Sequence, residues 1–137
     1  QVRSEMDEQI QSSNLQFRWI LPEEKVVLSL DGQRTYRVFE NLLNNILKYA
    51  MPHSRVYVDL IQAESEVQIR FRNVSAMELD FDAERLTDRF VRGDSSRNTE
   101  GSGLGLAIAK SFVELQKGSF QVETDGDLFK ALITFYR

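Results

Sequence analysis

The sequence has 137 residues, of which 42% are hydrophobic and 28% are charged, with seven glycines, two prolines and no cysteine. This length and composition fit one soluble globular domain and exclude a disordered chain, a collagen and an array of repeats. Without cysteine there is no disulfide framework, thiolate metal site or cysteine nucleophile. The formal net charge of −4 argues against general attraction to nucleic acid, so we expect no nucleic-acid partner.

The chain begins with a polar, acidic segment. Residues 1–14 carry only a few spaced apolar side chains, so we predict a linker there and a folded domain over residues 15–137. No run approaches the roughly 18 uninterrupted apolar residues of a membrane-spanning helix. Because the sequence starts at Gln1 rather than at a methionine, we expect it to be a piece of a longer protein.

The first half of the predicted domain contains one helix and three strands. Residues 26–30 lead into the turn dipeptide at Asp31 and Gly32 and predict a strand. Residues 34–50 predict a helix, since their apolar side chains fall on one arc at 100° per residue. Residues 55–61 and 67–72 predict two strands joined by a turn, and the second strand alternates apolar and polar side chains.

The second half adds two helices and a closing hairpin. Residues 82–90 predict a short helix, residues 91–103 a mobile surface loop, and the next segment an apolar-striped helix that stops at Gly118. Strands over residues 119–123 and 129–135 are joined across Asp125 and Gly126. This order predicts an α+β fold, a two-layer α/β sandwich in which helices cover one face of a mixed, mostly antiparallel sheet.

The polar face of the first long helix is the first candidate site. Five side chains fall within an arc of roughly 100° opposite the apolar stripe: Arg37, Asn41, Asn44, Asn45 and Lys48. A solvated surface would account for the charged residues. Asparagine disfavours helices, so three on one face indicate that their amides bind something. An amide oxygen suits Mg²⁺, and a nearby lysine suits phosphate.

Closely spaced glycines stand at the entrance of the last helix, in the sequence EGSGLGL at residues 100–106. Glycine lets the backbone approach a phosphate closely, and the free N–H groups of a helix N-terminus supply hydrogen-bond donors. A flexible hinge entering a helix explains the pattern equally well. Neither a Walker loop nor a Rossmann fingerprint fits, because no Gly-Lys-Ser or Gly-Lys-Thr follows and no strand immediately precedes the glycines.

Cations surround the glycine segment, namely Arg89, Arg92, Arg97 and Lys110. Each of them alone is explained by a solvated loop. Arg92 follows a predicted hydrophobic anchor at Phe90, and it is the cation that we favour for contact with an anion. The only histidine, His53, follows Pro52 at a helix end, and we interpret it as a capping or surface residue.

Three of these segments follow one another in a recognisable order. FENLLNNILKYA at residues 39–50 resembles the N-box of sensor histidine kinases, DRFVRGD at 88–94 resembles their F-box, and EGSGLGLAIAK at 100–110 resembles their second glycine box. The resemblance covers about residues 15–137, the catalytic and ATP-binding domain of that family. It implies the Bergerat fold, shared with DNA gyrase B, heat-shock chaperone and MutL-type ATPases, and it implies ATP and Mg²⁺ as cofactors.

The resemblance implies roles at matching positions. Asn45 would ligate Mg²⁺, with Asn41 beside it. Lys48 would contact phosphate, and Tyr49 would line the nucleotide pocket. Arg92 corresponds to the F-box arginine, which would contact phosphate or the acceptor domain, and with Asn45 and Lys48 it completes the implied catalytic set. The backbone cradle for the phosphates would comprise Gly101, Ser102, Gly103, Leu104 and Gly105.

The first glycine box departs from the family pattern. It reads Asp-x-Gly-x-Gly in the family, whereas residues 72–77 here read RNVSAM. Asn73 falls where the adenine-binding aspartate belongs, and Ser75 and Met77 replace the glycines. An amide oxygen can still accept a hydrogen bond from the adenine amino group, but without charge assistance, so we expect weak ATP affinity.

The resemblance further implies transfer of the γ-phosphoryl group of ATP to a histidine on a separate helical dimerisation domain, for two-component signal transduction. No His-Glu acceptor motif occurs in this chain. The implied partners are the dimerisation domain and a response regulator. The implied parent protein is a homodimer anchored in the cell membrane, with this domain in the cytoplasm.

Two alternatives stay open at this point. The altered first glycine box is compatible with a degenerate module that binds nucleotide or a partner without transferring phosphate. An ATPase of the gyrase or chaperone type would need a glutamate acting on water. Glu40 is the nearest candidate for that glutamate, although a turn of 100° from Asn41 takes it off the amide face.

Overall fold

The computed structural model of the chain describes residues 6–23, 28, 30–76 and 104–136. Within these ranges the helices are α1 (Asp7–Ser12), α2 (Gly32–Tyr49) and α3 (Leu104–Leu115). The strands are β1 (Gln16–Ile20), β2 (Arg55–Gln62), β3 (Glu66–Val74), β4 (Ser119–Asp125) and β5 (Leu128–Tyr136). The predicted helix at 82–90 and the predicted loop at 91–103 lie outside the described residues.

The five strands form one mixed sheet in the order β1-β2-β3-β5-β4. β1 pairs with β2 in parallel, and the other three pairs are antiparallel. The register places Phe71 of β3 between Val58 of β2 and Ala131 of β5. Because side chains alternate along each strand, the apolar residues of these three strands share one face. The predicted mixed, mostly antiparallel sheet is confirmed.

One face of the sheet carries the core, and the long helices cover it. The buried apolar set includes Val38, Leu42 and Ile46 of α2, Ala109 and Val113 of α3, and Phe71, Ala131, Ile133 and Phe135 of the strands. The opposite face is more polar, since Gln68, Arg70 and Arg72 alternate with the buried residues of β3. The fold is therefore the two-layer α+β sandwich that the sequence predicts.

The first strand lies earlier in the chain than predicted. β1 occupies Gln16–Ile20. Leu28 and Leu30 of the predicted strand at 26–30 belong to no strand, so the prediction is wrong at these two residues. Residues 26, 27 and 29 lie outside the described part. β1 is an edge strand that alternates exposed and half-buried residues. The short aromatic pattern of β1 is a weaker strand signal than the aliphatic run that follows it. For that reason the sequence predicts the strand at the aliphatic run.

The segment predicted to be a linker contains α1. Met6 and Ile10 are buried within the core cluster. Their spacing of four residues places both on one face of the helix. A hydrogen bond from the His53 N–H to the Asn14 carbonyl oxygen (2.9 Å) ties the following residues to the start of β2. The domain boundary at residue 15 stays a prediction, but the described residues before it pack on this domain.

Helix α3 ends in a Schellman motif. The N–H of Gly118 donates to the Val113 carbonyl oxygen (3.0 Å), and the N–H of Lys117 donates to the Glu114 carbonyl oxygen (3.0 Å). The left-handed residue is Lys117, with a φ of 66°, rather than the glycine. Packing requires the glycine, since a Cβ at Gly118 would lie 2.7 Å from the Thr134 carbonyl oxygen and 2.8 Å from Val113 Cγ1.

We expect Gly118→Ala to lower the free energy of unfolding by about 1–3 kcal/mol, because backbone and side chains must shift to admit one methyl group. Lys117→Gly should instead raise it by roughly 1 kcal/mol, because glycine adopts a positive φ without strain. Urea unfolding of the two variants measures both changes. Equal stability of Gly118→Ala and the wild type would contradict the close contact.

Candidate functional site

Helix α2 carries the predicted amide face. Asn41 and Asn45 are half-buried, whereas Lys48 and Tyr49 are exposed, and the Lys48 ammonium lies 5.6 Å from the centre of the Tyr49 ring. The Nδ2 atom of Asn41 is buried and has no hydrogen-bond partner among the described residues. A buried donor without a partner costs about 1–3 kcal/mol. This atom is therefore suited to a ligand that supplies the missing acceptor.

The start of α3 lies beside Asn41. A Cβ built at Gly105, in the first turn of α3, would lie 3.9 Å from the Cβ of Asn41. The first turn of a helix has backbone N–H groups without intrahelical partners, which can bind an anion. The structure thus brings one glycine of the predicted cradle to the amide face, and Leu104 begins the helix. The remaining predicted residues of this part lie outside the described residues: Arg92, Gly101, Ser102 and Gly103.

Asn73 ends the apolar series on the core face of β3. It follows three buried apolar residues at alternate positions and is only 5% exposed. Its in-register neighbours, Val56 and Phe129, carry no polar side-chain group. The Oδ1 atom of Asn73 is accordingly buried, with no hydrogen-bond partner among the described residues.

Backbone contacts join the end of α2 to the end of β3. The Ala76 N–H donates to the Tyr49 carbonyl oxygen (2.8 Å), and Ala50 forms an isolated β-bridge with Ser75. The rise of 1.5 Å per residue puts about 12 Å of helix between Asn41 and Tyr49. The helix that carries the amide face therefore runs from the first turn of α3 to the end of β3, the strand that carries Asn73.

The Gln116 side chain fixes α2 and α3 against each other. Its Oε1 atom accepts a hydrogen bond from the Asp31 N–H (2.7 Å), and its Nε2 atom donates to the Phe112 carbonyl oxygen (3.1 Å) and to Thr35 Oγ1 (3.2 Å). These bonds hold the end of α3 at the start of α2. Sequence reasoning missed this contact, because 85 residues separate its two partners.

The open face of the sheet carries a charged cluster that sequence reasoning also missed. Asp59 of β2 is 2% exposed, and its Oδ2 atom accepts hydrogen bonds from Nη2 of Arg70 (2.8 Å) and Nη2 of Arg72 (2.9 Å). The Arg72 guanidinium also lies 4.9 Å from the centre of the Tyr57 ring. The available signal was a carboxylate inside an otherwise apolar strand. The cluster lies on the face opposite the amides, since Asn73 and these arginines alternate along β3.

A second feature of the surface is an open depression along the edge strand β1. Its lining includes Phe17, Trp19, Ile20 and Tyr57. None of the predicted site residues lines it. We therefore assign the candidate site to the amide face rather than to this depression.

Comparison with known proteins identifies the family. Residues 30–135 match the family described as histidine kinase-, DNA gyrase B-, and HSP90-like ATPase. The chain belongs to this ATPase family. The matched residues include α2, β3 and α3, the elements that carry the amides and the first turn of the glycine segment.

The curated relatives of this ATPase domain are sensor proteins. It is 36% identical over 109 residues to the probable sensor protein PcoS of Escherichia coli, covering 78% of the chain and 23% of that protein. It is 40% identical over 97 residues to the probable sensor kinase SilS of Salmonella typhimurium, covering 69% of the chain and 20% of that protein. The chain thus spans less than a quarter of the length of these two relatives. Over the aligned residues this ATPase domain is therefore similar to a segment of proteins named as sensors.

The fold agrees with a solved structure of the same class. The catalytic domain of histidine kinase ThkA, in a nucleotide-free form, matches with a TM-score of 0.83 at 19% sequence identity, covering 98% of this chain and 87% of that chain. At this identity the likeness concerns the fold alone, and it supports the predicted Bergerat fold.

The comparisons do not favour the degenerate module, and they leave the gyrase-type ATPase untested. The relatives are named as sensor proteins and kinases, which does not favour a degenerate binding module. Glu40, the candidate base of a gyrase-type ATPase, forms an ion pair with Arg37 (3.5 Å). That contact joins its carboxylate to a neighbour on the same helix.

No group of three histidine, aspartate or glutamate side chains among the described residues is placed to hold a metal ion. No described helix is both long and apolar enough to cross a lipid bilayer.

Proposed function

We propose that the domain binds Mg²⁺-ATP along the amide face of α2 and transfers the γ-phosphoryl group to a histidine on a separate helical dimerisation domain. The observation that carries the proposal is the pair of buried, unpartnered amide atoms, Asn41 Nδ2 and Asn73 Oδ1. Buried polar atoms without partners are rare. Four such side-chain atoms occur among the described residues: two belong to the Asp59 and Arg72 cluster on the other face of the sheet, and the two asparagine atoms would form hydrogen bonds with the nucleotide.

The base and the phosphates would lie toward opposite ends of this face. Asn73 would accept a hydrogen bond from the base, and Tyr49, whose carbonyl is tied to the end of β3, would line the pocket. Asn41 lies beside Gly105, so its free donor would reach the phosphates. Lys48 is exposed on the same helix beside Tyr49, and its long side chain would extend a positive charge toward the phosphates.

The donor set of α2 fits Mg²⁺. This ion prefers hard oxygen ligands and is usually bound by one or two protein groups together with substrate phosphates. Asn45 is half-buried, four residues beyond Asn41 on the same face, and its amide oxygen would be the protein ligand. When bound, the metal would neutralise charge on the phosphates.

The glycine segment and the F-box would complete the site. Backbone N–H groups of Gly101, Ser102, Gly103, Leu104 and Gly105 would donate to phosphate oxygens. Arg92 would place a further cation at the phosphates or at the acceptor domain. The position of Gly105 beside Asn41 supports this assignment for the described end of the segment.

The acceptor would come from outside this domain. The chain has one histidine, His53, and no acceptor motif. During transfer a nitrogen of the external imidazole would form a bond to the γ-phosphorus while the bond to the β–γ bridging oxygen breaks, and ADP would leave. We infer a homodimeric, membrane-anchored parent protein with this domain in the cytoplasm and a response regulator as the partner that receives the phosphoryl group.

Transfer of radioactive label tests the proposal. The domain is mixed with γ-labelled ATP and a separately prepared dimerisation domain that carries the acceptor histidine. We expect label on that histidine and release of ADP. Release of free phosphate with no label on the acceptor would contradict the proposal, and loss of that hydrolysis in Glu40→Gln would then indicate an ATPase of the gyrase type.

We expect the isolated domain to bind Mg²⁺-ATP weakly, with a dissociation constant in the micromolar range or above. The physical reason is that the neutral amide of Asn73 offers the base a hydrogen bond without charge assistance. Isothermal titration calorimetry measures the constant. The companion variant is Asn45→Ala. Its affinity for ATP should be the same with Mg²⁺ present as with EDTA present. Sub-micromolar binding by the wild type would contradict the prediction.

A further inference from the structure

We infer that the base site accepts purine nucleoside triphosphates with either a 6-amino or a 6-oxo group, and that Asn73 sets this breadth. The inference rests on the proposed function, since it concerns the same nucleotide site. Asn73 places a polar side chain in an otherwise apolar series on the core face. The residue is 5% exposed, and its Oδ1 atom has no hydrogen-bond partner among the described residues.

The backbone at Asn73 is fixed on both sides. β3 pairs in register with β2 at Val56 and with β5 at Phe129. Two residues further on, the Ser75 N–H donates to the Asp127 carbonyl oxygen (2.7 Å). The main chain is thereby held in place and cannot bring the amide to another described residue. A bound molecule could supply the missing hydrogen bond.

An asparagine amide can pair with either kind of purine. It presents one acceptor oxygen and one donor nitrogen side by side. Toward adenine, Oδ1 accepts from the 6-amino group while Nδ2 donates to N1. A rotation of 180° about the last side-chain bond exchanges the two atoms. Nδ2 then donates to the 6-oxo group of hypoxanthine while Oδ1 accepts from its N1–H, so neither base leaves a buried polar group unpaired.

A carboxylate at the same position would discriminate between the two bases. It offers acceptors only. Placed opposite position 6, it accepts from a 6-amino group but meets a 6-oxo group oxygen to oxygen, and the base would have to shift before its N1–H could donate instead. With a carboxylate at this position, the 6-oxo base would leave a buried acceptor unpaired and would lose the charge-assisted hydrogen bond of the 6-amino base. Together these losses would weaken its binding, relative to ATP, by about 10–10²-fold. The amide of Asn73 therefore binds ATP less tightly than a carboxylate would, but it also accepts the 6-oxo base.

The test compares Mg²⁺-ATP with Mg²⁺-ITP by calorimetry. ITP keeps the ribose and the triphosphate and differs only in its 6-oxo group and N1 proton. For the wild-type chain we expect the two dissociation constants to lie within about tenfold, because both bases form two hydrogen bonds. In Asn73→Asp, ATP should bind about 10–10²-fold more tightly than ITP. Asn14→Asp adds the same charge at an exposed position before β1 and should keep the wild-type ratio.

The outcomes separate this inference from the proposed function. A wild-type preference for ATP above about 10²-fold, unchanged in Asn73→Asp, would overturn the inference while leaving ATP binding in place. Binding of neither nucleotide by the wild type would overturn the proposed function, and the inference with it.

A second variant covers the case in which Asn73→Asp does not fold. Asn73→Leu removes donor and acceptor together at nearly constant volume, and thermal unfolding reports whether it folds. We expect it to weaken ATP and ITP by the same factor. Weakened ATP binding with unchanged ITP binding would overturn the inference, because it would show that only the adenine contacts Asn73.

Discussion

Replacing Asn45 with alanine in the full-length protein should lower the rate of phosphoryl transfer to the acceptor histidine by about 10²–10³-fold. Asn45 lies on the amide face of α2, half-buried and four residues beyond Asn41. Loss of its oxygen would leave the metal without its protein ligand, so the charge that develops on the phosphates would be less well neutralised. Single-turnover labelling with γ-labelled ATP measures the rate.

Gln33→Ala is the matched control for this measurement. Gln33 is exposed in the first turn of the same helix and takes no part in the site. A surface substitution of this kind should keep the rate within about twofold. Equal melting temperatures of the two variants would exclude unfolding as the cause of the loss. Phosphorylation by Asn45→Ala at a near-normal rate would refute the role assigned to Asn45.

Replacing Arg70 and Arg72 together with methionine should lower the free energy of unfolding by about 3–5 kcal/mol. Both guanidinium groups donate to one oxygen of Asp59, which is 2% exposed, and its other oxygen already has no partner among the described residues. Without the arginines a buried carboxylate would keep its desolvation cost and lose its compensating charges. Urea unfolding measures the change.

Two further variants isolate the buried charge as the cause. Asp59→Asn should lower the free energy of unfolding by less than the double replacement does. The reason is that both arginines are more than a third exposed and can turn to water. Adding Asp59→Leu to the double variant should recover most of the lost stability, since a buried ion cluster replaced by apolar groups is often neutral. A double variant as stable as Asp59→Asn would contradict this account.

The long amphipathic elements were predictable because their residues satisfy local rules. α2 was predicted from 34 to 50 and is observed at Gly32–Tyr49, since Asp31 caps it by accepting a hydrogen bond from the Arg34 N–H (3.0 Å). β3 was predicted from its alternation and β5 as the second strand of the closing hairpin, and both extend only slightly beyond the predicted limits. β1 was missed, because an edge strand that pairs in parallel is specified by its neighbour rather than by its own pattern.

Candidate site residues were predictable by type and spacing, but their relation in space was not. The asparagines of α2 stood out because asparagine disfavours a helix interior. By contrast, no local rule indicated that Gln116 would accept a hydrogen bond from Asp31, or that Asp59 would be covered by two arginines. Each of these contacts joins residues from different elements, so each depends on how the elements pack.

By itself, the sequence determined the α+β class, the amide face of one helix, the glycine segment at the start of another and the family to which they point. The class and the two segments follow from side-chain periodicity and from the chemistry of single residue types, whereas the family follows from the resemblance of three motifs in order. Only the tertiary structure decided that Gly105 lies beside Asn41, that the end of α2 is bonded to the end of β3, and that one amide atom of Asn41 and one of Asn73 are buried without a partner among the described residues. The physical reason is that burial and hydrogen-bond satisfaction belong to the packed molecule, because each depends on neighbours that are distant in the chain.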